Sequence, residues 1–138
     1  MKKMVICTAV LGVLAFGAVA AQAVEEMREG KWEISSTVDM PGMPFKMPPT
    51  VMTHCYTKED VKDRKKVVAN QNNDCKVTEM KTSGNKVTWK MKCTGQSKGT
   101  MSGVTIFGKD YYNSTMKMQT EGHNMTTKVK ARRIGNCD

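Results

Sequence analysis

Two short alternating segments bracketed by cysteines, from Cys75 to Cys93, constrain this chain more than any other stretch. In the second segment Val87, Trp89, Met91 and Cys93 alternate with Lys86, Thr88, Lys90 and Lys92, the period of a strand with one face buried and the other wet. Ser83-Gly84-Asn85 separates it from a first segment that begins at Cys75. Glycine accepts the positive φ of a tight hairpin, and a turn centred on Gly84 sets Cys75 opposite Cys93. The pair is placed to close a disulfide. An antiparallel sheet and an oxidising compartment follow from this one stretch.

The compartment agrees with the start of the chain. Lys2 and Lys3, an apolar run from Met4 to Ala20, and Ala21-Gln22-Ala23 form the pattern of a secretory signal peptide, residues 1–23, cleaved after Ala23. The run is near the lower limit for a membrane span and no stop-transfer charges follow it. Cys7 sits too early in the run for lipoprotein processing and leaves with the peptide. The expected location is the periplasm or the exterior. Residues 24–138 then form a single β domain, and loss of Lys2 and Lys3 lowers the formal net charge of +9 by two.

Four cysteines remain: Cys55, Cys75, Cys93 and Cys137. The hairpin register takes Cys75 with Cys93 and leaves Cys55 for Cys137, one of three possible connectivities. Zinc and dithiol redox chemistry are disfavoured because no C-x-x-C spacing occurs.

Trp32, Ile34, Ser36, Val38 and Met40 alternate with polar residues in a first strand, which ends at Pro41-Gly42. All four prolines fall between Pro41 and Pro49, so no regular element crosses that segment. A second extended piece, Thr50 to Tyr56, is read with Cys55 inward. Thr57-Lys58-Glu59-Asp60 is a capping box opening the one expected helix, which runs to about Val67 or Val68. Asn70 to Asp74 is a loop. After the hairpin, strands are expected from about Thr100 to Phe107, from Asp110 to Thr120 with Tyr112, Ser114, Met116 and Met118 on one face, and through Met125, Thr127, Val129 and Ala131. The fold class is all-β with one short helix: an antiparallel β-meander forming a curved or barrel-like sheet, stapled by two disulfides.

Gly30-Lys31-Trp32-Glu33, Met40-Pro41-Gly42-Met43-Pro44, Cys55 with Thr57-Lys58-Glu59-Asp60, the paired Cys75 and Cys93, and Gly135-Asn136-Cys137 occur in this order. Together they resemble the DUF3617 family of exported bacterial proteins, over essentially the whole of residues 24–138. The resemblance implies a strand-dominated cell-envelope protein. It carries no assigned activity and no catalytic residue.

An enzyme is not expected, since His54 and His123 stand without a serine motif, phosphate loop or recognisable carboxylate pair. The leading expectation is a monomeric, non-enzymatic binding or structural module without a cofactor. Two partners suit it. With strands pairing in sequence order, Lys86, Lys90, Lys92, Lys117, Lys128, Lys130 and Arg132 share the wet face, which suits an anionic envelope component. A curved sheet also holds a small apolar ligand on its concave side. Nucleic acid is not expected, because aromatics do not interleave with the basic set. The alternative is a periplasmic Cu(I) protein: Met40, Met43 and Met47 lie within one proline-rich loop, with His54 as a fourth donor, and thioether sulfur is a soft ligand. The competing role for these methionines is to fill a core short of aromatics.

Overall fold

Residues that alternate in the sequence alternate in the fold, so most strands have an inner, apolar face and an outer, polar one. In the computed structural model, which describes residues 26–68 and 74–138, seven strands form one curved antiparallel sheet that does not close. They are β1 Gly30–Asp39, β2 Thr50–Tyr56, β3 Cys75–Ser83, β4 Lys86–Cys93, β5 Gly99–Phe107, β6 Tyr111–Thr120 and β7 His123–Gly135, in the spatial order β2-β1-β7-β6-β5-β4-β3. The expected meander holds from β3 to β7. β1 and β2 also pair as sequence neighbours, but β2 and β3 do not: β1 pairs with β7 instead, which leaves β2 and β3 at opposite edges.

The hairpin register is reached by a different route from a turn centred on Gly84. The turn is the two-residue Gly84-Asn85, with Gly84 at φ 58° and Ser83 opposite Lys86. The register then shifts between Val77 and Glu79, where Thr78 is the extra residue of a bulge, and this restores Cys75 opposite Cys93. The bulge has a cause in the sequence. Cys75 and Val77 share one parity and Met80 has the other, and one extra residue keeps all three on the inner face.

The expected single helix is two, α1 Lys58–Lys62 and α2 Arg64–Val68. The capping box forms: Asp60 N donates to Thr57 Oγ1 at 3.2 Å and Thr57 N donates to Asp60 Oδ2 at 2.9 Å. Donation from the Thr57 backbone, and then from its hydroxyl, holds the Asp60 carboxyl below the usual range. Asp63 breaks the helix because its backbone is extended and its carboxylate instead accepts from Lys65 N at 3.0 Å, capping the next turn.

Cys55 is also corrected, from inward to outward. It lies opposite Lys31, while Tyr56, opposite Gly30, is 6 % exposed. Burying the tyrosine ring rather than the sulfur is the larger gain, and strand parity then turns Cys55 out. Both expected disulfides are present. Cys75 and Cys93 link neighbouring strands with Cα atoms 4.1 Å apart, and Cys55–Cys137, at 5.8 Å, ties β2 across β1 to the segment after β7.

The core lies on the inner face. Trp32, Val87, Trp89 and Phe107 are all but inaccessible. Trp32 packs tilted against Tyr112 at 5.8 Å and edge-to-face with Tyr56 at 6.1 Å, and the two tyrosine hydroxyls meet at 3.0 Å. Val67 and Val68 of α2 pack on this core, and the Arg64 guanidinium lies 5.4 Å from the centre of the Phe107 ring. The expected signal peptide and residues 70–73 of the expected loop lie outside the described residues. No helix among the described residues is long and apolar enough to cross a membrane.

Candidate functional site

The inner face is built from cross-strand rows, and each row fixes one part of a cavity of about 310 Å³. One row runs Met80, Trp89, Gly103, Met116, Thr127 from β3 to β7. The next runs Val87, Thr105, Ser114, Val129, Ser36 from β4 to β1. Trp89, Met91, Met101, Met116, Thr105 and Ser114 all line the cavity, and Val67 and Val68 close it from α2.

Gly103 is what lets the Trp89 indole lie over β5. A β-carbon there would come within 2.5 Å of the ring carbons Cε2 and Cζ2, closer than atoms pack in any interior. Trp89 is 1 % exposed, and its Nε1 has no hydrogen-bond partner among the described residues. A buried N–H without an acceptor costs about 1–3 kcal/mol. Thr105 and Ser114, also buried, share a hydrogen bond of 2.8 Å between their hydroxyls. One hydroxyl proton serves that bond, and the other leaves the pair with a donor to offer.

No residue lining the cavity carries a formal charge. Its one ionisable group is Tyr112, whose phenol is pushed up, first by burial and then by the bond to Tyr56, so it stays neutral. The site therefore suits a neutral, mostly apolar molecule. Its volume is at the small end of the about 300–1,000 Å³ range of ligand pockets.

Strand alternation predicts one face for Trp89 and Met91 and one face for Ser114 and Met116, and the sheet brings the two together. Gly103, Thr105, Val67 and Val68 were missed. The available signal was Gly103 itself, since glycine inside a strand marks a close approach to its backbone.

The other candidate residues lie elsewhere. Met40, Met43 and Met47 fall in the segment between β1 and β2, where Met43 N donates to Met40 O at 3.3 Å and Met43 is 40 % exposed. His54 is not beside them. It sits opposite Trp32, about 13 Å along β2 from Thr50, with its ring 4.5 Å from that of Tyr56. Lys86, Lys90, Lys92, Lys117, Lys128, Lys130 and Arg132 all occupy exposed outer-face positions on β4, β6 and β7. Lys90 pairs with Glu79 at 3.4 Å and Arg132 with Glu33 at 2.9 Å.

A family model described as a protein of unknown function (DUF3617) matches residues 27–137. The chain belongs to the DUF3617 family. The DUF3617 match takes in all seven strands, both disulfides and every residue lining the cavity. No curated protein and no solved structure matches the chain. Two disulfides in one DUF3617 domain suit an oxidising compartment rather than a reducing cytosol.

Proposed function

We propose that this DUF3617 protein is a non-enzymatic, monomeric binding module of the bacterial cell envelope that holds a small, neutral, mostly apolar ligand in its inner-face cavity. The observation that carries the reading is Trp89, which lines an uncharged cavity while its buried Nε1 lacks an acceptor among the described residues. Methionine walls support it, because thioether chains repack around ligands of different shape. Export is supported by the signal-peptide pattern at residues 1–23 and by the disulfides.

The test uses a neutral aromatic fluorophore such as N-phenyl-1-naphthylamine. The expected result is saturable one-to-one binding with quenching of Trp89 emission. Val68→Trp, which fills the cavity from α2, should weaken binding at least tenfold. Equal affinity in that variant would place the ligand elsewhere and defeat the reading.

A second reading, contact with an anionic envelope component, is favoured by seven cations on one face. Binding to vesicles of anionic phospholipid should fall steeply as salt rises, since exposed charges are screened beyond about 10 Å at 0.1 M. Charge reversal at Lys117, Lys128 and Lys130, none of them in the two ion pairs above, should abolish it. Retention of binding by that variant would point away from this face.

A further inference from the structure

A third row of the inner face, on the other side of the Trp89 row from Val87, is made almost wholly of methionine. Met91 of β4 stands opposite Met101 of β5, Met101 opposite Met118 of β6, and Met118 opposite Met125 of β7. Four consecutive strands each contribute one thioether at the same level. Val77 of β3 ends the row on one side. On the other side Asp39 pairs with Thr126, so the next residue, Met40, continues the inner parity of Val38 toward the level of Met125. Met91 is 4 % exposed, whereas Met40, Met101, Met118 and Met125 are half-buried.

Neighbouring strands lie about 4.8 Å apart. Adjacent sulfurs therefore start from Cα atoms well within the combined reach of two methionine side chains, each with three rotatable bonds. No group of three or more His, Cys, Asp or Glu side chains able to hold a metal occurs among the described residues. Ions that prefer nitrogen or carboxylate oxygen thus find no comparable site, while thioethers select Cu(I). We infer that Met101, Met118 and Met125, flanked in the same row by Met91 on one side and Met40 on the other, form a Cu(I) site on the sheet.

This differs from a site held in the proline-rich segment, because Met43 and Met47 take no part and Met40 is recruited to the sheet. It also stands apart from the apolar-ligand reading, since only Met91 and Met101 are shared with the cavity. The titratable side chain at the neighbouring inner-face positions of the described strands is His123, two residues before Met125 on β7.

The test is anaerobic Cu(I) titration of the full, disulfide-intact protein against a competing chelator, with Ag(I) as a redox-inert parallel. Three proteins are compared: wild type, Met40→Leu/Met118→Leu/Met125→Leu, whose three positions lie outside the cavity lining, and Met43→Leu/Met47→Leu. Leucine roughly preserves volume, and near-ultraviolet circular dichroism with the naphthylamine titration confirms that each variant is folded. The expected result is one equivalent bound by wild type and by the Met43/Met47 variant, and at least a hundredfold loss in the sheet variant, which still binds the fluorophore. X-ray absorption should report sulfur ligands only. Thioethers need no deprotonation, so affinity should stay level between pH 5 and 7. Absence of tight binding in wild type, loss in the Met43/Met47 variant, equal affinity in all three, or a fall toward pH 5 that His123→Ala removes would each overturn the all-thioether sheet site.

Discussion

Replacing Trp89 with alanine is expected to lower the unfolding free energy by about 3–5 kcal/mol in urea titrations of the disulfide-intact protein. The ring is 1 % exposed and lies over Gly103 between Met80 and Met116. Its loss removes apolar contact and leaves a space that two strands of a sheet cannot collapse to fill. A change under about 1 kcal/mol would contradict burial of this face. Trp89→Phe separates packing from hydrogen bonding. Phenylalanine keeps most of the ring area and removes an N–H that has no acceptor among the described residues, so it should cost much less than alanine. If the ligand of the cavity accepts from Nε1, Trp89→Phe weakens binding out of proportion to stability. Equal affinity for a carbonyl-bearing fluorophore in the two proteins would exclude that donor.

The second large effect belongs to Cys55–Cys137. Its partners are 82 residues apart, against 18 for Cys75–Cys93. On the chain-entropy model, closing the longer loop contributes about 4–5 kcal/mol and the shorter about 3. Cys55→Ala/Cys137→Ala should therefore lower stability by about 4 kcal/mol, a large share of the roughly 5–15 kcal/mol of a small domain. The outward position of Cys55 makes the comparison cleaner, because alanine there leaves no hole in the core. Non-reduced peptide mapping should recover Cys55–Cys137 and Cys75–Cys93 peptides. A Cys55–Cys75 peptide, or a loss below about 1 kcal/mol, would reject this account.

Local chemistry wrote much of this fold plainly. Val87, Trp89 and Met91 announce a strand face, and Thr57 with Asp60 announces a helix start. The two-residue turn and the bulge at Thr78 were also present, in the switch of parity between Val77 and Met80, but a turn centred on Gly84 reaches the same cysteine pair and hides them. Cys55 was misplaced because an uncharged strand such as Thr50–Tyr56 has no clean alternation, so only the competition with Tyr56 decides which side faces in. The methionine row was not legible at all. Met91, Met101, Met118 and Met125 can each be put on the apolar face of a strand, but their alignment depends on three successive registers. The pairing of β1 with β7 has no local signal, since it is set by which edge completes the core around Trp32 and Tyr112.

That pairing carries a kinetic cost. β1 is made early, yet its partner β7 comes roughly a hundred residues later, and Arg133 Nε donates to Glu29 O across 104 positions. The hairpins from β3 to β7 close through short loops and can assemble first, whereas β1 and β2 dock only when β7 is in place. Non-local closure of this kind folds slowly. Until then Trp32 lacks its β7 neighbours and Cys55 lacks its partner, so a chain released stepwise stays vulnerable to proteases and mispaired thiols until Cys137 arrives.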